Sequence, residues 1–468
     1  MKKRTTTKSR IIRMIAAVIA VLSFIGVTAC SRAPIQSGDV DQSKTVDDLS
    51  IRGRITFSET NIASEEDTLA ARAIVKAFED AYPTVDVIFE EAVRATFTTR
   101  ISAGDIGDVF WGDEADMYNF HKVHNAVMPL DSYIQPLNID LGDVYTGALD
   151  TGKSDGRLYM APRNIGEHIM TYNVDMLKAE GISYDGIEAL DWDTFKSYCR
   201  ALTKFDDFGK VTQTGSSMKI YWYPVWQVFF RGYGGTWIDS TKHTISIVDN
   251  AEVMQGLNEM LTGVTEGWLY PEDFASQITG EVATMYSLIT NDNFATAGFK
   301  TFGDLSGLNQ VGNAYDRLEV DWDFCPFPAL PTHTVSTGAT GYMVYNRTSN
   351  PDTAAAFALF FLTSEGQRAY HSQAGGNVPL LRSLSEETFW KGKGTVWTDK
   401  NYGAFVSYPE LTRPASVDVQ APGEIAALFN GENMKKALSR ILSGEADVYT
   451  VFSKIQTEAN EKWALIYD

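Results

Sequence analysis

Cysteine is scarce in this sequence of 468 residues, which contains 3 in all. None of them belongs to a C-x-x-C pair or has a histidine at metal-ligand spacing. A disulfide scaffold and a structural zinc site are therefore not expected. Cys199 and Cys325 could bond to each other in an oxidising compartment or remain two small buried thiols, and the sequence leaves both open.

Positive charge is also in short supply, with 40 Lys and Arg against 60 Asp and Glu and a net charge of −20. Binding to nucleic acid needs clustered Lys and Arg, so no nucleic-acid partner is predicted. The hydrophobic share of 44% and the aromatic share of 12% argue against disorder. A chain of this length accommodates two or three domains with sizeable cores.

Complete catalytic motifs are missing as well. The sequence has no H-E-x-x-H, G-x-S-x-G, P-loop or G-x-G-x-x-G pattern, and Ser216–Lys219 fits S-x-x-K without the S-D-N and K-T-G elements that such enzymes need. His121 and His124 lie one helical turn apart without a third ligand, so neither a metal nor a cofactor is predicted. A glycosidase requires only two carboxylates without local spacing, and these patterns do not exclude one.

The first thirty residues are typical of an export signal. A basic, acid-free start is followed by a small and apolar run over 14–28, which is short for a membrane span. Val27-Thr-Ala-Cys30 then resembles the lipobox of bacterial lipoproteins, in which the cysteine receives a lipid and becomes the mature N-terminus. We therefore expect a signal peptide over 1–29, lipidation of Cys30 and a polar flexible tether over 30–50. An ordinary signal peptide with a chance cysteine is the alternative.

Strand and helix patterns alternate in the body of the chain, which predicts an α/β fold with a largely parallel sheet. The acidic stretch at 65–67 is expected to open a helix that Pro83 stops. The apolar residues that recur at every fourth position along it are Leu69, Ala73, Ala77 and Ala81. Ligands bind beyond the carboxyl ends of such strands, and this rule places Trp111, Asp113 and Glu114 at a crevice.

Four further helix patterns are distinct. Asp191 begins a helix whose apolar side is Trp192, Phe195, Cys199 and Leu202. Asn350-Pro351 is typical of a helix start, and Ser364–Gln367 matches a capping box. A helical hairpin is predicted at the end of the chain, with a turn at Ser443-Gly444.

Ten short motifs occur in an order that resembles the family 1 extracellular solute-binding proteins of ABC importers, the maltose-binding type. The motifs cover nearly the whole mature chain and lie at 78–87, 102–109, 128–134, 156–173, 234–235, 280–285, 327–328, 349–356, 364–367 and 375–379.

The resemblance implies a two-lobed periplasmic-binding-protein-like fold of type II with a ligand cleft between the lobes. Carried onto this chain, lobe 1 comprises 51–163 and 336–380, and lobe 2 comprises 164–335 and 381–468. It further implies a carbohydrate ligand, the permease subunits of an importer as partners, a monomeric state, and a lipid-anchored location on the extracellular or periplasmic side of the membrane. Closure would be a hinge motion around the ligand.

A sugar site needs flat aromatic platforms and hydrogen-bonding side chains, because sugars have apolar C–H faces and a rim of hydroxyls. Trp111 and Asp113 are the first candidates, because they match the maltose-binding segment whose Trp and Asp contact sugar, and Glu114 follows. A core tryptophan beside solvated acids is the alternative. A second platform is predicted at Trp222 and Tyr223, which lie at the start of a helix. Further along this helix, Trp226 and Phe230 are expected to face the core. Plain core packing of Trp222 and Tyr223 is the alternative.

The remaining candidates follow from the resemblance alone. Arg163, Asn164 and Glu167 lie where the family often places a contact beside the hinge, although a salt bridge elsewhere would explain the two charged residues. Asn291 and Asp292, with Asn293, follow the 280–285 motif at the usual contact distance. Gly376 and Asn377 lie near the last crossing and belong to the hinge or to the site.

These observations predict a receptor for a neutral sugar or oligosaccharide, without catalysis. Two alternatives stay open: a lipid-anchored glycosidase or other hydrolase, and a receptor of the same fold for a polyol or a sugar phosphate. A phosphate ligand calls for Arg or Lys in the cleft, and among the candidates only Arg163 offers it.

Overall fold

The computed structural model describes residues 45, 48–60, 62, 65–303, 305–373, 377–391, 397–417 and 419–467. The predicted signal peptide, Cys30, most of the tether and Gly376 lie outside these residues. No helix among the described residues combines the length and the apolarity that crossing a membrane requires.

Seventeen strands occur in the described chain. In chain order they are β1 Gly53–Glu59, β2 Val85–Glu91, β3 Val109–Asp113, β4 Lys153–Ser154, β5 Arg157–Leu158, β6 Met160–Pro162, β7 Ile169–Asn173, β8 Lys204–Phe205, β9 Val211–Met218, β10 Ile238–Asp239, β11 Thr244–Ile245, β12 Leu269–Pro271, β13 Ala297–Phe302, β14 Trp322–Pro326, β15 Val335–Thr337, β16 Thr340–Val344 and β17 Thr412–Pro414.

Seventeen α-helices within the described residues connect and flank these strands. They are α1 Glu65–Ala81, α2 Phe97–Ala103, α3 Glu114–Tyr118, α4 Asp131–Ile134, α5 Thr146–Thr151, α6 Val174–Ala179, α7 Trp192–Leu202, α8 Tyr223–Arg231, α9 Ala251–Thr265, α10 Gly280–Met285, α11 Leu308–Arg317, α12 Pro351–Phe360, α13 Ser364–His371, α14 Arg382–Ser385, α15 Gly423–Ala426, α16 Gly431–Leu442 and α17 Val448–Tyr467. Short 3₁₀ turns and one π-helical turn, Asn119–Val123, lie between them.

Two sheets of similar construction organise the molecule. The first has the order β2-β1-β3-β16-β6, and the second has the order β12-β9-β13-β7-β14 with β8 paired to β9. In each sheet one strand runs against its neighbours, β16 in the first and β7 in the second. Each of these strands comes soon after the chain has crossed from the other sheet. The predicted α/β class with largely parallel sheets is confirmed, and we call the parts built on the first and second sheets lobe 1 and lobe 2.

Helix α1 has the predicted bounds, but its predicted apolar side is wrong. Leu69 is 49% exposed, whereas Ile74 and Phe78 are fully buried against the first sheet. The helix is therefore rotated relative to the Leu69 stripe. The bulkier pair Ile74 and Phe78 removes more apolar area from water than the alanines at 73, 77 and 81, and so determines which face packs.

The helix starting after Asp191 is confirmed in detail. The Asp191 carboxylate accepts a hydrogen bond from the Thr194 amide, and all four predicted apolar residues of α7 are buried. Both remaining cysteines are free and buried: Cys199 on α7 and Cys325 on β14. Burial raises the pKa of both thiols above the ordinary value, so they remain protonated core residues near neutral pH.

The predicted capping box at Ser364–Gln367 is wrong by one residue. The N-cap of α13 is Thr363, whose hydroxyl accepts from the Gly366 amide. Gln367 is instead fully buried, and its side chain bonds to Arg163, Phe361 and Leu380. The amide thereby fastens helix α13 to the first connection between the lobes.

The connections between the lobes are held side by side. Residues 163–168 lead from β6 to β7, and Glu167 forms an isolated bridge with Thr337 of β15. β15 in turn pairs in parallel with β17. Residues 382–385, which the sequence places in lobe 2, contact lobe 1: the Ser385 hydroxyl lies 2.7 Å from the Tyr145 hydroxyl, and the Arg382 amide donates to the Asp143 carbonyl. The lobe limits stay a prediction.

Candidate functional site

A cavity of about 300 Å³ lies where the carboxyl edge of the first sheet meets the lobe connections and the start of α8. This volume is at the lower end of the range of about 300–1,000 Å³ that is usual for small-molecule sites. The side chains that line it come from both lobes and from the connections: Trp111, Asp113, Glu114, Arg163, Asn164, His168, Trp222, Tyr223, Thr340, Asn377 and Ser416. Seven of the ten predicted ligand-binding residues are therefore brought together, and Asn377 joins them.

Trp111 and Asp113 lie at the end of β3, where the strand passes directly into helix α3. The Asp113 carboxylate caps this helix by accepting from the Asp116 amide at 2.9 Å. It also forms an ion pair with Arg94, whose Nη2 lies 2.6 Å from Oδ2. Asp113 is thus held in one position by two partners, which leaves its remaining lone pairs for a ligand hydroxyl.

Arg94 also orders the tryptophan and a second acid. Its guanidinium lies 5.3 Å from the Trp111 ring centre and pairs with Asp116 at 2.9 Å. Burial, with a contribution from the charge of Asp113, raises the pKa of Asp116 to about 6. The Trp111 indole nitrogen is buried without a hydrogen-bond partner among the described residues.

Glu114 connects lobe 1 to the strands of the hinge. It is buried, and its two carboxylate oxygens accept from the backbone amides of Ala339 at 3.4 Å and Ser416 at 3.2 Å. These amides lie beside β16 and after β17, so one side chain ties the first helix of the site to two connecting segments. Because both carboxylate oxygens of Glu114 accept hydrogen bonds from backbone amides, its main role is this bridge and not contact with a ligand.

Arg163 forms part of the floor of the cavity. Its guanidinium is buried and donates to the Tyr342 hydroxyl at 3.1 Å and to Glu59 at 3.5 Å. Its carbonyl oxygen accepts from Gln367 at 2.8 Å and from His371. The positive charge of Arg163 is therefore neutralised by Glu59 within lobe 1 and is not available to a ligand as an isolated cation. The Asn164 amide oxygen accepts from the Thr340 hydroxyl at 3.2 Å.

Glu167 does not line this cavity. Its side chain is almost completely buried, with one oxygen accepting from the Tyr408 amide at 2.7 Å and the other without a hydrogen-bond partner among the described residues. Burial raises the pKa of Glu167 to about 8, so the carboxyl is mostly protonated at neutral pH. Its position points to a role in the hinge.

The opposite wall is aromatic and belongs to lobe 2. Trp222 is the N-cap residue of α8, and Pro224 lies in the first turn. The rings of Trp222 and Tyr223 therefore stand at the end of the helix that faces the cavity. His168 packs edge-on against Trp222 with ring centres 4.6 Å apart. Burial lowers the pKa of His168 to about 3, so the imidazole is neutral at neutral pH.

A glycine allows this packing. A Cβ atom at Gly303 would lie 2.7 Å from His168 Nδ1 and 2.7 Å from Trp222 Cη2, closer than real side chains approach. As predicted, Trp226 and Phe230 face the core of lobe 2.

Asn291 and Asp292 are not brought to this cavity. Asn291 lines a separate cavity of about 440 Å³ in lobe 2, where its Oδ1 accepts from the Asp273 amide and the Tyr270 hydroxyl. Asp292 is exposed. Asn293 is buried and accepts from Lys300 Nζ at 2.7 Å, within a network that also contains Glu272.

Arg94, His168, Gly303 and Ser416 were not predicted as part of the site. Arg94 is separated from Trp111 by helix α2, and Ser416 is separated by about 300 residues, so only the folded chain brings them together. His168 could have been proposed from the sequence, because it directly follows the candidate residues 163–167 at the first connection between the lobes.

The charges that line the cavity are engaged by partners in the protein. Asp113 pairs with Arg94, Arg163 with Glu59, and Glu114 accepts from two amides. Between these groups stand the indole and phenol rings of two lobes. Such a lining can stack on an apolar face and exchange hydrogen bonds with hydroxyls. Among the described residues no group of three or more His, Cys, Asp or Glu side chains could hold a metal ion.

The model of the family described as bacterial extracellular solute-binding protein matches residues 63–368. A xylose/arabinose-binding protein of Haloferax volcanii is 21% identical over 348 residues, which are 67% of this chain and 67% of that protein.

Solved structures show the same fold. The sugar-binding protein MalE of Xanthomonas citri superposes with a TM-score of 0.70 at 16% identity, covering 89% of this chain and 98% of the other. An ABC substrate-binding protein of Listeria monocytogenes, solved with cycloalternan, superposes with a TM-score of 0.65 at 16% identity, covering 88% and 99%.

Proposed function

This chain belongs to the family of bacterial extracellular solute-binding proteins, and on that premise we propose that it captures a neutral sugar or oligosaccharide and delivers it to the permease of an ABC importer. The relatives described above are named for xylose and arabinose, for sugar, or were solved with a cyclic oligosaccharide. They make carbohydrate the first class of ligand to consider for this cavity.

The observation that carries the proposal is the pairing of aromatic walls from two lobes across one cavity. Trp111 comes from lobe 1, and Trp222 with Tyr223 comes from lobe 2. A sugar ring that stacks on either wall removes apolar area from water, while Asp113 and Asn164 lie beside it to accept or donate hydrogen bonds. Because the walls belong to different lobes, a ligand that contacts both favours the closed arrangement.

The charge pattern favours a neutral ligand over a sugar phosphate. Both arginines at the cavity, Arg94 and Arg163, are already matched by carboxylates. A phosphate would have to compete with these carboxylates for the guanidinium groups. Sugar hydroxyls can form hydrogen bonds with these groups without breaking the ion pairs.

The protein is proposed to bind without catalysis. The carboxylates that line the cavity, Asp113 and Glu114, are adjacent in sequence, and both are committed to helix capping or to backbone amides. A glycosidase needs two carboxyl groups on either side of the scissile bond, roughly 5–9.5 Å apart, with one protonated. The arrangement of Asp113 and Glu114 does not suit that chemistry.

The proposed location combines the family with the N-terminal motif. The family is extracellular or periplasmic, and we propose that lipidation of Cys30 holds the protein on the outer side of the membrane as a monomer, with residues 30–50 as the tether. These N-terminal assignments rest on the sequence motif, since residues 1–44 lie outside the described chain.

A thermal melt against mono- and oligosaccharides tests the proposal. A ligand that binds only the folded state at a hundredfold excess over its Kd adds about 2.7 kcal/mol of stability. For a chain of this size the melting temperature should rise by about 2–4 °C or more. Chromatography after overnight incubation should recover the sugar unchanged. Shorter products would identify a glycosidase, and a shift with only polyols or sugar phosphates would overturn the choice of a neutral sugar.

A further inference from the structure

A second cavity at the junction of the lobes has a different character from the first. It has a volume of about 510 Å³ and lies beside the end of helix α8 rather than at its start. Lobe 1 contributes Asp150 and Lys153, lobe 2 contributes Arg231 and the turn that follows it, and strand β17 contributes Arg413. No charged residue of the aromatic cavity lines it.

Arg231 at this cavity has no carboxylate partner among the described residues. Its Nη2 donates to two neutral amide oxygens, those of Gln227 at 2.6 Å and Gln420 at 3.1 Å. Nε and Nη1 have no protein acceptor in the described chain. Burial and the nearby charge of Arg413 lower the pKa of Arg231 to about 10, which still leaves it charged at neutral pH. The charge of Glu114 raises the pKa of Arg231 and so partly offsets this shift. A half-buried guanidinium whose hydrogen-bond partners are only neutral groups is costly unless an anion reaches it.

Arg413 is likewise matched only by neutral groups. Its Nη1 donates to the carbonyl oxygens of Glu410 and Thr412, and it forms no ion pair in the described chain. Lys153 is paired with Asp150 at 2.9 Å. Among the described residues of the lining, three cations against one carboxylate leave a surplus of two positive charges. In a chain with a net charge of −20, this local excess is the reverse of the overall pattern.

A hydroxyl without a partner adds to this lining. The Thr334 hydroxyl oxygen is buried and has no hydrogen-bond partner among the described residues, although Thr334 lines the cavity. A buried hydroxyl in this condition can donate to an anion that enters the space. The guanidinium groups and this hydroxyl together supply several donors and few acceptors.

We propose that this cavity binds a dianionic oxyanion of the phosphate type, held by the guanidinium groups of Arg231 and Arg413. A planar guanidinium matches two oxygens of such a group, and two positive charges in excess match its charge. The volume accommodates inorganic phosphate and also an organic phosphate ester. The site is separate from the proposed carbohydrate cavity and does not depend on it.

The position of the site connects it to the hinge. Arg413 lies on β17, which pairs with β15 of the lobe connection, while Lys153 belongs to lobe 1 and Arg231 to lobe 2. An anion that contacts groups from both lobes binds more tightly to one relative arrangement of them than to another. Its affinity is therefore coupled to lobe movement.

Calorimetric titration of the full chain with inorganic phosphate at constant ionic strength tests the site. We expect saturable binding to the unaltered protein. Charge-assisted hydrogen bonds are lost in Arg413→Gln and in Arg231→Gln, and each should weaken phosphate binding by about tenfold or more. Arg440→Gln serves as the control, because Arg440 is a half-exposed arginine whose partner Glu445 is 3.9 Å away. This variant should bind phosphate as tightly as the unaltered protein.

Three further comparisons keep the result interpretable. Arg413→Glu places a carboxylate beside Arg231, so it should abolish phosphate binding while the melting temperature is kept or raised at low salt. Sulfate should compete with phosphate, and glycerol phosphate should compete more strongly if the natural ligand is an ester. The proposal is overturned if no saturable binding occurs, if Arg413→Gln binds as tightly as the unaltered protein, or if acetate binds as tightly as phosphate.

Discussion

The imidazole of His168 packs edge-on against the indole of Trp222, with ring centres 4.6 Å apart and planes at 81°. One residue belongs to the first connection between the lobes, and the other begins helix α8 of lobe 2. The orientation of an aromatic wall of the cavity is therefore set by the hinge itself. Any change that moves this imidazole should alter the affinity for a ligand that stacks on Trp222.

Gly303→Ala should weaken ligand binding, because the added Cβ meets both His168 and Trp222 at 2.7 Å and has to displace one of them. A shift of this kind in a close-packed contact costs about 1–3 kcal/mol, or roughly a tenfold loss of affinity if it falls on the wall. Calorimetry with the carbohydrate found by the melt measures it. Gly423→Ala is the matched control, since a Cβ there meets nothing within 4 Å. Equal affinity for both variants would mean that the wall does not depend on this glycine.

Glu167 should make stability fall as the pH rises. Its pKa is raised to about 8 in the folded protein, against about 4.3 in an unfolded chain, so the stabilising protonated form is fully present below about pH 4.3 and is lost as the pH rises through 8. Glu167→Gln keeps a neutral side chain at all pH values. The variant should therefore gain in melting temperature relative to the unaltered protein between pH 5 and pH 9.

The comparison is made by thermal melts of both proteins across that range. Glu461→Gln, a change at an exposed position, provides the control and should show no such trend. A difference between Glu167→Gln and the unaltered protein that is the same at pH 5 and pH 9 would mean that Glu167 is already ionised in the folded state.

Cys30→Ser should prevent the proposed lipidation, because the proposed site of lipid attachment is the thiol of Cys30. The variant, produced in a bacterial host that processes lipoproteins, should move from the detergent-rich phase to the aqueous phase. Cys199→Ser is the control, since Cys199 is a buried core thiol and its replacement leaves the N-terminus intact. If Cys30→Ser stays with the detergent, the anchor has another origin.

The sequence allowed much of the fold and part of the site to be predicted, and the reason differs between elements. Helix α7 was predicted in full because its cap and its apolar face are local features. Asp113 and Trp111 were placed correctly at a strand end by a rule of topology. The face of α1 was misjudged because two stripes of apolar residues compete there, and only packing against the first sheet decides between them.

Contacts between distant segments could not be derived from local patterns. Gln367 has the spacing of a capping residue, but its amide is used to hold the carbonyl of Arg163, 204 residues away. Asn291 follows the expected motif, yet its oxygen accepts from Asp273 and Tyr270 within lobe 2. In both cases the local sequence pattern was present, but the side chain forms hydrogen bonds with residues distant in the sequence instead of serving the predicted role.

We propose that one carbohydrate is held between aromatic walls from two lobes, and calorimetric titration of two tryptophan variants tests this arrangement. Stacking on an aromatic ring contributes about 1–3 kcal/mol at comparable sites, so Trp111→Ala and Trp222→Ala should each weaken binding of the same sugar by roughly tenfold or more. Tyr449→Ala, at an exposed ring far along the chain on α17, should leave the affinity unchanged. Unchanged affinity in either tryptophan variant, with the fold intact by circular dichroism, would show that the sugar does not stack on that wall.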